Sequence, residues 1–250
     1  MKITVIGELC EDVFVYGDTL RLSPEAPVPV LTPKFTEENP GMAGNVVENL
    51  KSMDEKVEIN FIHQKENIIK TRYVDEKSNH MFIRVDKEGY VEPLVLNDLY
   101  VDMIKESDAV IVSDYNKGFL TETVLREICY HSKFIIMDTK KKVSEHTVSH
   151  FNFIKLNYQE YLRFDKDARD IYIDKLIITL GSGGAKYINT VYPSPDPKET
   201  IDVSGAGDTF TAAFTLNYLQ TKSVEEAITF ANKMASIVVS KRGVSTPWKK

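Results

Sequence analysis

The run from Asp202 to Phe210 is the segment with the most chemical content. It reads Asp-Val-Ser-Gly-Ala-Gly-Asp-Thr-Phe, and the residues after it carry apolar side chains at helical spacing. Small residues before a helix let backbone N–H groups face an anion, which the aligned peptide dipoles also attract. Asp208 could then orient or deprotonate a hydroxyl while the amides hold a phosphoryl group. An ordinary helix start with an N-terminal acid explains the same short pattern.

Two further segments contain glycines where a ligand could approach the backbone. The first includes Gly41, Gly44 and Asn45, whose small residues and side-chain amide suit a polyhydroxylated ligand. The second, residues 179–184, follows an apolar run, and ligands of open α/β sheets bind beyond the carboxyl ends of strands. A plain helix start explains the first segment equally well, and a tight strand-to-strand turn explains the second.

Polar residues also follow two other apolar runs. Asn157 and Glu160 are three residues apart, a spacing that suits a helix capping box and also a hydrated Mg²⁺ ion. Residues 113–118 read Ser-Asp-Tyr-Asn-Lys-Gly and bring an acid and a base to the same edge. There is no Walker A sequence, so a P-loop enzyme is not indicated.

The elements that must position these residues alternate between strands and helices. Helical patterns cover residues 121–129 and 157–164. The strand-like runs are mostly apolar and do not alternate with polar residues, which is typical of a parallel sheet covered on both faces. They lie at residues 3–6, 109–112, 134–137, 153–156 and 176–180. We therefore expect an α/β fold of three layers with a mostly parallel central sheet.

The N-terminal part has a different pattern of polar and apolar residues. Residues 12–16, 28–35 and 71–86 alternate between polar and apolar side chains, and a proline-rich stretch separates the first two segments. Prolines at that density belong at sheet edges and turns. This pattern predicts a small antiparallel β-sheet lid, from about 12–35 and 71–86, on one domain that covers residues 1–250.

Composition limits the partners. The 250 residues are 42% apolar and carry a net charge of −6, so no general basic field is present to bind nucleic acid. No apolar run approaches the roughly 18 residues of a membrane span, and the strand-like start is unlike a secretory signal. The two cysteines stand far apart, without a disulfide framework. We expect a soluble cytoplasmic protein with no nucleic-acid or membrane partner.

Taken together, these segments resemble the ribokinase-like (PfkB) family of carbohydrate kinases. The family motif Asp-Thr-x-Gly-Ala-Gly-Asp stands here as Asp202-Val-Ser-Gly-Ala-Gly-Asp208. Within the family the closer likeness is to heptose-phosphate kinases, and it rests on residues 22–30, 40–46, 113–118 and 137–140. The likeness covers nearly the whole chain in collinear order. Several weak motifs in one order are far more specific than any one of them alone.

The resemblance implies an ATP-dependent sugar kinase that uses Mg²⁺ and forms a homodimer through the lid. The implied substrate is a sugar phosphate, similar to D-glycero-D-manno-heptose 7-phosphate and phosphorylated at O1. A kinase for another sugar or nucleoside, and a noncatalytic descendant that binds a sugar phosphate or nucleotide, are the alternatives.

The resemblance also implies a role for each matching position. Asp208 matches the catalytic base. The anion hole for the transferred phosphoryl group matches Gly205, Ala206 and Gly207. The sugar-binding positions are Asp12, Gly41, Gly44 and Asn45, with Lys117 as the candidate ligand of the substrate's own phosphate. The positions for Mg²⁺ and the nucleotide are Asn157 and Glu160 (metal, through water), Thr179, Gly181 and Gly184 (nucleotide loop) and Asn232 (adenine pocket).

The chain departs from the family pattern in its N-terminal half. Relatives usually continue after the helix that ends near Met53 through a further βαβ unit, whereas here residues 57–63 lead almost directly to residues 68–74. We expect this loss to trim one edge of the sheet and to open part of the sugar pocket. Met42 stands where Gly is common, and Glu8 where Asp is common.

Overall fold

A computed structural model describes residues 1–142, 144–195 and 201–248. The strands in this part of the chain are β1 (Lys2–Gly7), β2 (Leu9–Asp18), β3 (Thr32–Met42), β4 (Glu58–Ile62), β5 (Ile69–Asp75), β6 (Met81–Lys87), β7 (Ala109–Asp114), β8 (Ile135–Thr139), β9 (Phe153–Asn157), β10 (Leu176–Thr179), β11 (Ala185–Tyr187) and β12 (Thr190–Tyr192). The α-helices are α1 (Ala43–Met53), α2 (Asp98–Glu106), α3 (Glu122–His131), α4 (Glu145–Val148), α5 (Tyr158–Arg163), α6 (Lys166–Ile171), α7 (Ala206–Thr221) and α8 (Val224–Val238).

The larger sheet has eight strands in the order β12-β11-β10-β9-β8-β7-β1-β4. The six strands from β10 to β4 are parallel, and β11 and β12 form an antiparallel hairpin at one edge. All five apolar runs of the sequence coincide with these parallel strands, except that Phe134 lies just before β8 and Leu180 just after β10. The mostly parallel central sheet is confirmed.

Two separate apolar cores cover the two faces of this sheet. Along β7, Val110 and Val112 face a core built with α2, α3 and α6. Ala109 and Ile111 face the opposite core, which contains α1, α7 and α8. Successive strand residues point to opposite faces, so a strand buried on both faces is apolar at most of its positions. The three-layer arrangement predicted from the sequence is confirmed.

Helix α7 carries the motif residues at its first turn and lies inside the second of these cores. Nine consecutive residues from Asp208 to Leu216 are buried, so the helix is enclosed on all sides. Within the described residues, no helix is both long enough and apolar enough to cross a membrane.

The smaller sheet forms the predicted lid, with strand order β3-β2-β5-β6. The expectation of a purely antiparallel lid is wrong, because β2 and β5 pair in parallel. The chain leaves the lid through α1 and the β4 edge strand before it returns as β5, and parallel neighbours need such a crossover. Residues 28–31 also fall outside a strand, since β3 begins only at Thr32 and runs on to Met42.

The short connection after β4 is the place where the sequence lacks a βαβ unit. Strand β4 is the last strand of the large sheet, and β5 begins only seven residues after β4 ends. Buried Gln64 fastens the connection: its Oε1 accepts from the Leu9 amide at 2.9 Å, and its Nε2 donates to the Leu9 carbonyl at 2.6 Å. A cavity of about 360 Å³ lies beside it.

Candidate active site

The first turn of α7 presents backbone amides and a carboxylate to the same cavity. Gly205 precedes the helix with a positive φ of 79°, a conformation that glycine adopts readily and bulkier residues avoid. The first N–H groups of a helix lack partners within the helix and suit an anion, although that of Ala206 donates to the Val203 carbonyl at 3.3 Å. The side chain of Asp202 accepts from the Ser204 amide at 2.8 Å and so holds the approach to this turn.

The carboxylate of Asp208 is buried and has a donor on each oxygen. Asn45 Nδ2 lies 3.0 Å from Oδ2, and the Tyr115 hydroxyl donates to Oδ1 at 2.8 Å. Burial and the nearby Asp138 carboxylate raise the pKa of Asp208 to about 6, although both hydrogen bonds oppose the rise. Asp208 is therefore mostly ionised at pH 7. Burial is the largest influence on the pKa of Asp208.

A buried ion pair lies beneath the amides of α7. Lys155 Nζ is 2.6 Å from Asp138 Oδ2, and a side chain on Gly207 would press against the Lys155 ammonium. Burial opposes ionisation of Asp138, but Lys155 and Lys140 outweigh it and leave the pKa of Asp138 below its usual value. Lys140 Nζ is 3.8 Å from Asp138 Oδ1 and 2.7 Å from Glu160 Oε1. Two cations thus border Asp138, and the Lys155 ammonium also lies next to Gly207.

Two cavities adjoin the first turn of α7. The larger, of about 650 Å³, is called the polar cavity because charged side chains line it, namely Asp138, Lys140, Lys155 and Asp208, next to Gly207. The smaller, of about 180 Å³, is lined mainly by apolar side chains from Val203, Phe210, Ala235 and Val239. The cavities share Thr179, Gly181, Val203 and Gly207. A ligand with a charged end and an apolar end would fit across both.

Asn157 and Glu160 form the capping box of α5. Asn157 Oδ1 accepts from the Glu160 amide at 2.9 Å, and Glu160 Oε2 accepts from the Asn157 amide at 2.7 Å. The capping explanation of their spacing is therefore confirmed, while Asn157 also lines the polar cavity. No cluster of three or more histidine, cysteine or acidic side chains that would hold a metal occurs in the described ranges.

The donor set around the polar cavity nevertheless suits Mg²⁺, which binds through few carboxylates and several waters. Asp138 Oδ1 is buried without a hydrogen-bond partner, and buried polar atoms normally have one. Asp138, together with Asn157 and Glu160, would be the residues that hold the ion.

The predicted nucleotide loop is a strand-to-strand turn and also borders both cavities. Thr179 ends β10, and the turn returns as β11, which confirms the structural alternative without excluding ligand contact. Gly181 and Gly184 have positive φ values of 61° and 88°. A side chain on Gly184 would overlap the Tyr192 carbonyl. Asn232 donates to that same carbonyl at 2.8 Å and lines the apolar cavity.

The predicted sugar positions meet where the lid joins α1. Asp12 of β2 forms a buried ion pair with Arg72 of β5, and a side chain on Gly41 would overlap the Asp12 carboxylate. Asn45 lies two residues into α1 and reaches both Asp208 and, at 3.4 Å, the Gly205 carbonyl. Asp12 and Gly41 therefore lie against each other, and Asn45 is the one of these three residues with a hydrogen bond to Asp208.

The other two predicted substrate positions, Gly44 and Lys117, make contacts elsewhere in the protein. A side chain on Gly44 would collide with Leu9 and Pro40, so the structure needs a glycine there for packing. Lys117 Nζ lies 2.5 Å from the Glu88 carboxylate, which already neutralises its charge.

Sequence reasoning did not assign four residues that the structure brings to the site: Tyr115, Asp138, Lys140 and Lys155. A signal for two of them was present, because Lys155 is a charged residue inside an otherwise apolar run and Asp138 directly follows another. Strands β8 and β9 pair in parallel with these two residues in register. Nothing local marks Tyr115 as a partner of Asp208.

The sequence has relatives among bacterial proteins. It is 35% identical to the bifunctional protein HldE of Helicobacter pylori strain J99 and 30% identical to that of a Nitratiruptor species, over 97% and 98% of this chain. The chain spans 63% of the length of these relatives. The alignment to the Helicobacter protein runs over 299 residues, so that protein has segments without a counterpart among the 250 residues here.

Solved structures with the same fold include two ribokinases. That of Arabidopsis thaliana, complexed with ribose and ATP, superposes with a TM-score of 0.71 at 14% identity, over 96% of this chain and 93% of that one. Thermotoga maritima ribokinase gives a TM-score of 0.72 at 18% identity, over 97% and 94% of the two chains. The family model described as pfkB family carbohydrate kinase matches residues 52–250. The chain therefore belongs to the pfkB family of carbohydrate kinases.

Proposed function

We propose that this protein transfers the γ-phosphate of ATP to a hydroxyl of a sugar phosphate, with Asp208 as the base. The observation that carries the proposal is the position of Asp208. Its buried carboxylate lies at the first turn of α7, beside backbone amides that suit an anion and beside the Lys140 and Lys155 ammoniums. Phosphoryl transfer depends mainly on such positioning and charge neutralisation.

The two cavities support a nucleotide donor. The apolar cavity near Phe210 and Ala235 suits the adenine ring, and the polar cavity suits the phosphates. Lys140 and Lys155 would offset the charge of the γ-phosphate while the α7 amides hold its oxygens. Mg²⁺, held by Asp138, Asn157 and Glu160, would supply further neutralisation.

The reaction is a simple displacement in this arrangement. The acceptor hydroxyl gives its proton to Asp208 while its oxygen forms a bond to the γ-phosphorus. The bond from that phosphorus to the bridging oxygen breaks, and ADP leaves. Asn45 and Tyr115 keep the carboxylate in place, and the lid residue Asp12 would orient the sugar.

The acceptor is proposed to be a heptose 7-phosphate-like sugar, phosphorylated at O1. Support comes from the motifs shared with heptose-phosphate kinases and from the relatives named HldE.

The lid supports a second proposal, a homodimer. The side chains of Ile83 and Val85 on β6 are about half exposed, and a second copy would cover them. A cytoplasmic location, where ATP is present, completes the proposal.

The test is ADP release in the presence of ATP, Mg²⁺ and a panel of sugar phosphates, neutral sugars and nucleosides. Asp208→Asn should reduce turnover by about a thousandfold while ligand binding, measured by calorimetry, is retained. Asp170→Asn, on the exposed face of α6, is the matched control and should keep full activity. A fully active Asp208→Asn variant would refute the role of this residue. Binding without turnover across the panel would instead indicate a noncatalytic binding protein.

A further inference from the structure

A buried carboxylate outside the reacting groups organises the loop after β7. Glu8 is 0% exposed and lies between β1 and β2. Its Oε2 accepts from the Tyr115 amide at 2.8 Å, and its Oε1 accepts from the Lys117 amide at 3.1 Å. Burying a carboxylate is costly unless hydrogen bonds compensate for it. The position of Glu8 therefore indicates that this loop must be held in one conformation.

The loop has further constraints on its shape. Asn116 adopts a left-handed conformation with a φ of 58°, and its amide donates to Asp114 Oδ1 at 3.0 Å. Left-handed residues are uncommon outside glycine and occur mainly where the surroundings demand them. The consequence is that the side chain of Tyr115 extends from a fixed backbone toward the first turn of α7.

Tyr115 connects the three parts of the site. Its hydroxyl donates to Asp208 Oδ1 at 2.8 Å, and its ring lies 5.5 Å from Lys70 Nζ on lid strand β5 and 5.5 Å from Lys140 Nζ. Burial, followed by the Asp208 carboxylate, raises the pKa of Tyr115 well above its ordinary value. The hydroxyl therefore keeps its proton and remains a donor to Asp208.

The two donors on Asp208 fix the plane of its carboxylate. Asn45 donates to one oxygen and Tyr115 to the other, and each carboxylate oxygen has capacity for a second hydrogen bond. An acceptor hydroxyl must use one of the two sites that remain. Without Tyr115, one edge of the carboxylate would be unrestrained and free to rotate away from the acceptor.

We propose that Tyr115, held in place by the buried Glu8, is a positioning residue that fixes the carboxylate of Asp208 for proton abstraction from the acceptor. The proposal rests on the proposed role of Asp208 as the base. It adds the chain of contacts Glu8–Tyr115–Asp208, in which only the last residue exchanges a proton with the substrate.

The test is Tyr115→Phe in the full chain, which keeps the ring and removes only the hydroxyl. We expect kcat to fall about tenfold or more, because hydrogen bonds to charged groups are strong, while KM for the sugar phosphate stays nearly unchanged. Tyr130→Phe, on the exposed surface of α3, is the matched control and should leave kcat unchanged. Glu8→Gln should also lower kcat, because the NH₂ group of the glutamine would face one of the two loop N–H groups that the Glu8 carboxylate accepts from.

The pH profile separates positioning from a general structural role. The groups that influence Asp208 are Asp138 and Lys140 from β8 and the residues after it, Lys155 from β9, Cys10 from β2, Asn45 from α1 and Tyr115. Of these groups, the Tyr115→Phe variant removes only the Tyr115 hydroxyl. Since its hydrogen bond favours the ionised carboxylate, its loss should move the acid limb of kcat/KM upward by about one pH unit.

A measurement without substrate keeps the inference separate from the proposed function. Carbon-13 NMR titration of the Asp208 carboxyl should give a midpoint near 6 in the unchanged protein and a higher one in Tyr115→Phe. An unchanged midpoint, an unchanged kcat or a defect confined to KM would each overturn the role of Tyr115. An active Asp208→Asn variant would overturn the proposed base itself, whatever the midpoint shows.

Discussion

The ammonium of Lys155 lies 2.6 Å from Asp138 Oδ2, and both side chains are almost completely buried below the first turn of α7. Strands β8 and β9 bring them together in register, so the pair is built into the central sheet. The second carboxylate oxygen of Asp138, Oδ1, has no hydrogen-bond partner, and the Lys155 ammonium approaches Gly207. The pair therefore supports the sheet and also supplies charge to the phosphate side of the site.

Lys155→Met should destabilise the protein by about 3–5 kcal/mol, because it leaves the Asp138 carboxylate buried without its main partner. Urea unfolding measures this loss. The double variant Lys155→Met/Asp138→Leu should recover much of the stability, since an apolar pair of similar volume avoids the buried charge. Phosphoryl transfer should stay low in the double variant. Recovery of turnover together with stability would show that the pair has only a structural role.

The value of kcat/KM should fall on acidification with a midpoint near pH 6. The folded-state pKa of Asp208 is about 6, above the ordinary value of an aspartate. A base must be ionised to accept a proton, so kcat/KM should be constant above this midpoint and fall about tenfold for each pH unit below it. Measurement of kcat/KM from pH 5 to 8 checks this. A profile that stays flat well below pH 6 would contradict the assignment of Asp208.

Much of this fold could be predicted from the sequence. The parallel strands are short and mostly apolar, and the longer run after Gly205 continues with apolar residues, so hydrophobicity and segment length locate both. The parallel pairing of β2 with β5 could not be read in this way. Strand direction there depends on the long detour of the chain through α1 and β4, whereas an alternating pattern is the same in either direction.

Part of the candidate site could likewise be predicted from the sequence, and part could not. Asp208 and Asn45 stand in recognisable glycine-containing segments, so their types and neighbours predict them. The contact between Tyr115 and Asp208 joins residues 93 positions apart and depends on the conformation of a loop that buried Glu8 holds. Such contacts follow from tertiary packing, which local sequence does not encode.

Gly205→Ala should disable the site while leaving most of the fold intact. The φ of 79° disfavours any side chain, and a Cβ atom would overlap the amide nitrogen of Asn45, which holds Asp208. We expect a loss in kcat on the order of a hundredfold from misplacement of the two groups. Gly89→Ala is the matched control, since an added Cβ meets no heavy atom within 4 Å there. Equal activity of the two variants would contradict the tight fit at Gly205.

Ala235→Phe should weaken nucleotide binding selectively. Ala235 lies on α8 and lines the apolar cavity of about 180 Å³, which a phenyl ring would largely fill. If the adenine ring occupies this cavity, KM for ATP should rise by tenfold or more, with little change in KM for the sugar phosphate, because the acceptor side near Asn45 is untouched. Thr229→Phe places the same ring on an exposed position of α8 and should leave both constants unchanged. Initial rates measured against each substrate separately make the distinction. An Ala235→Phe variant with an unchanged KM for ATP would place the base of the nucleotide elsewhere, because a filled cavity cannot accept it.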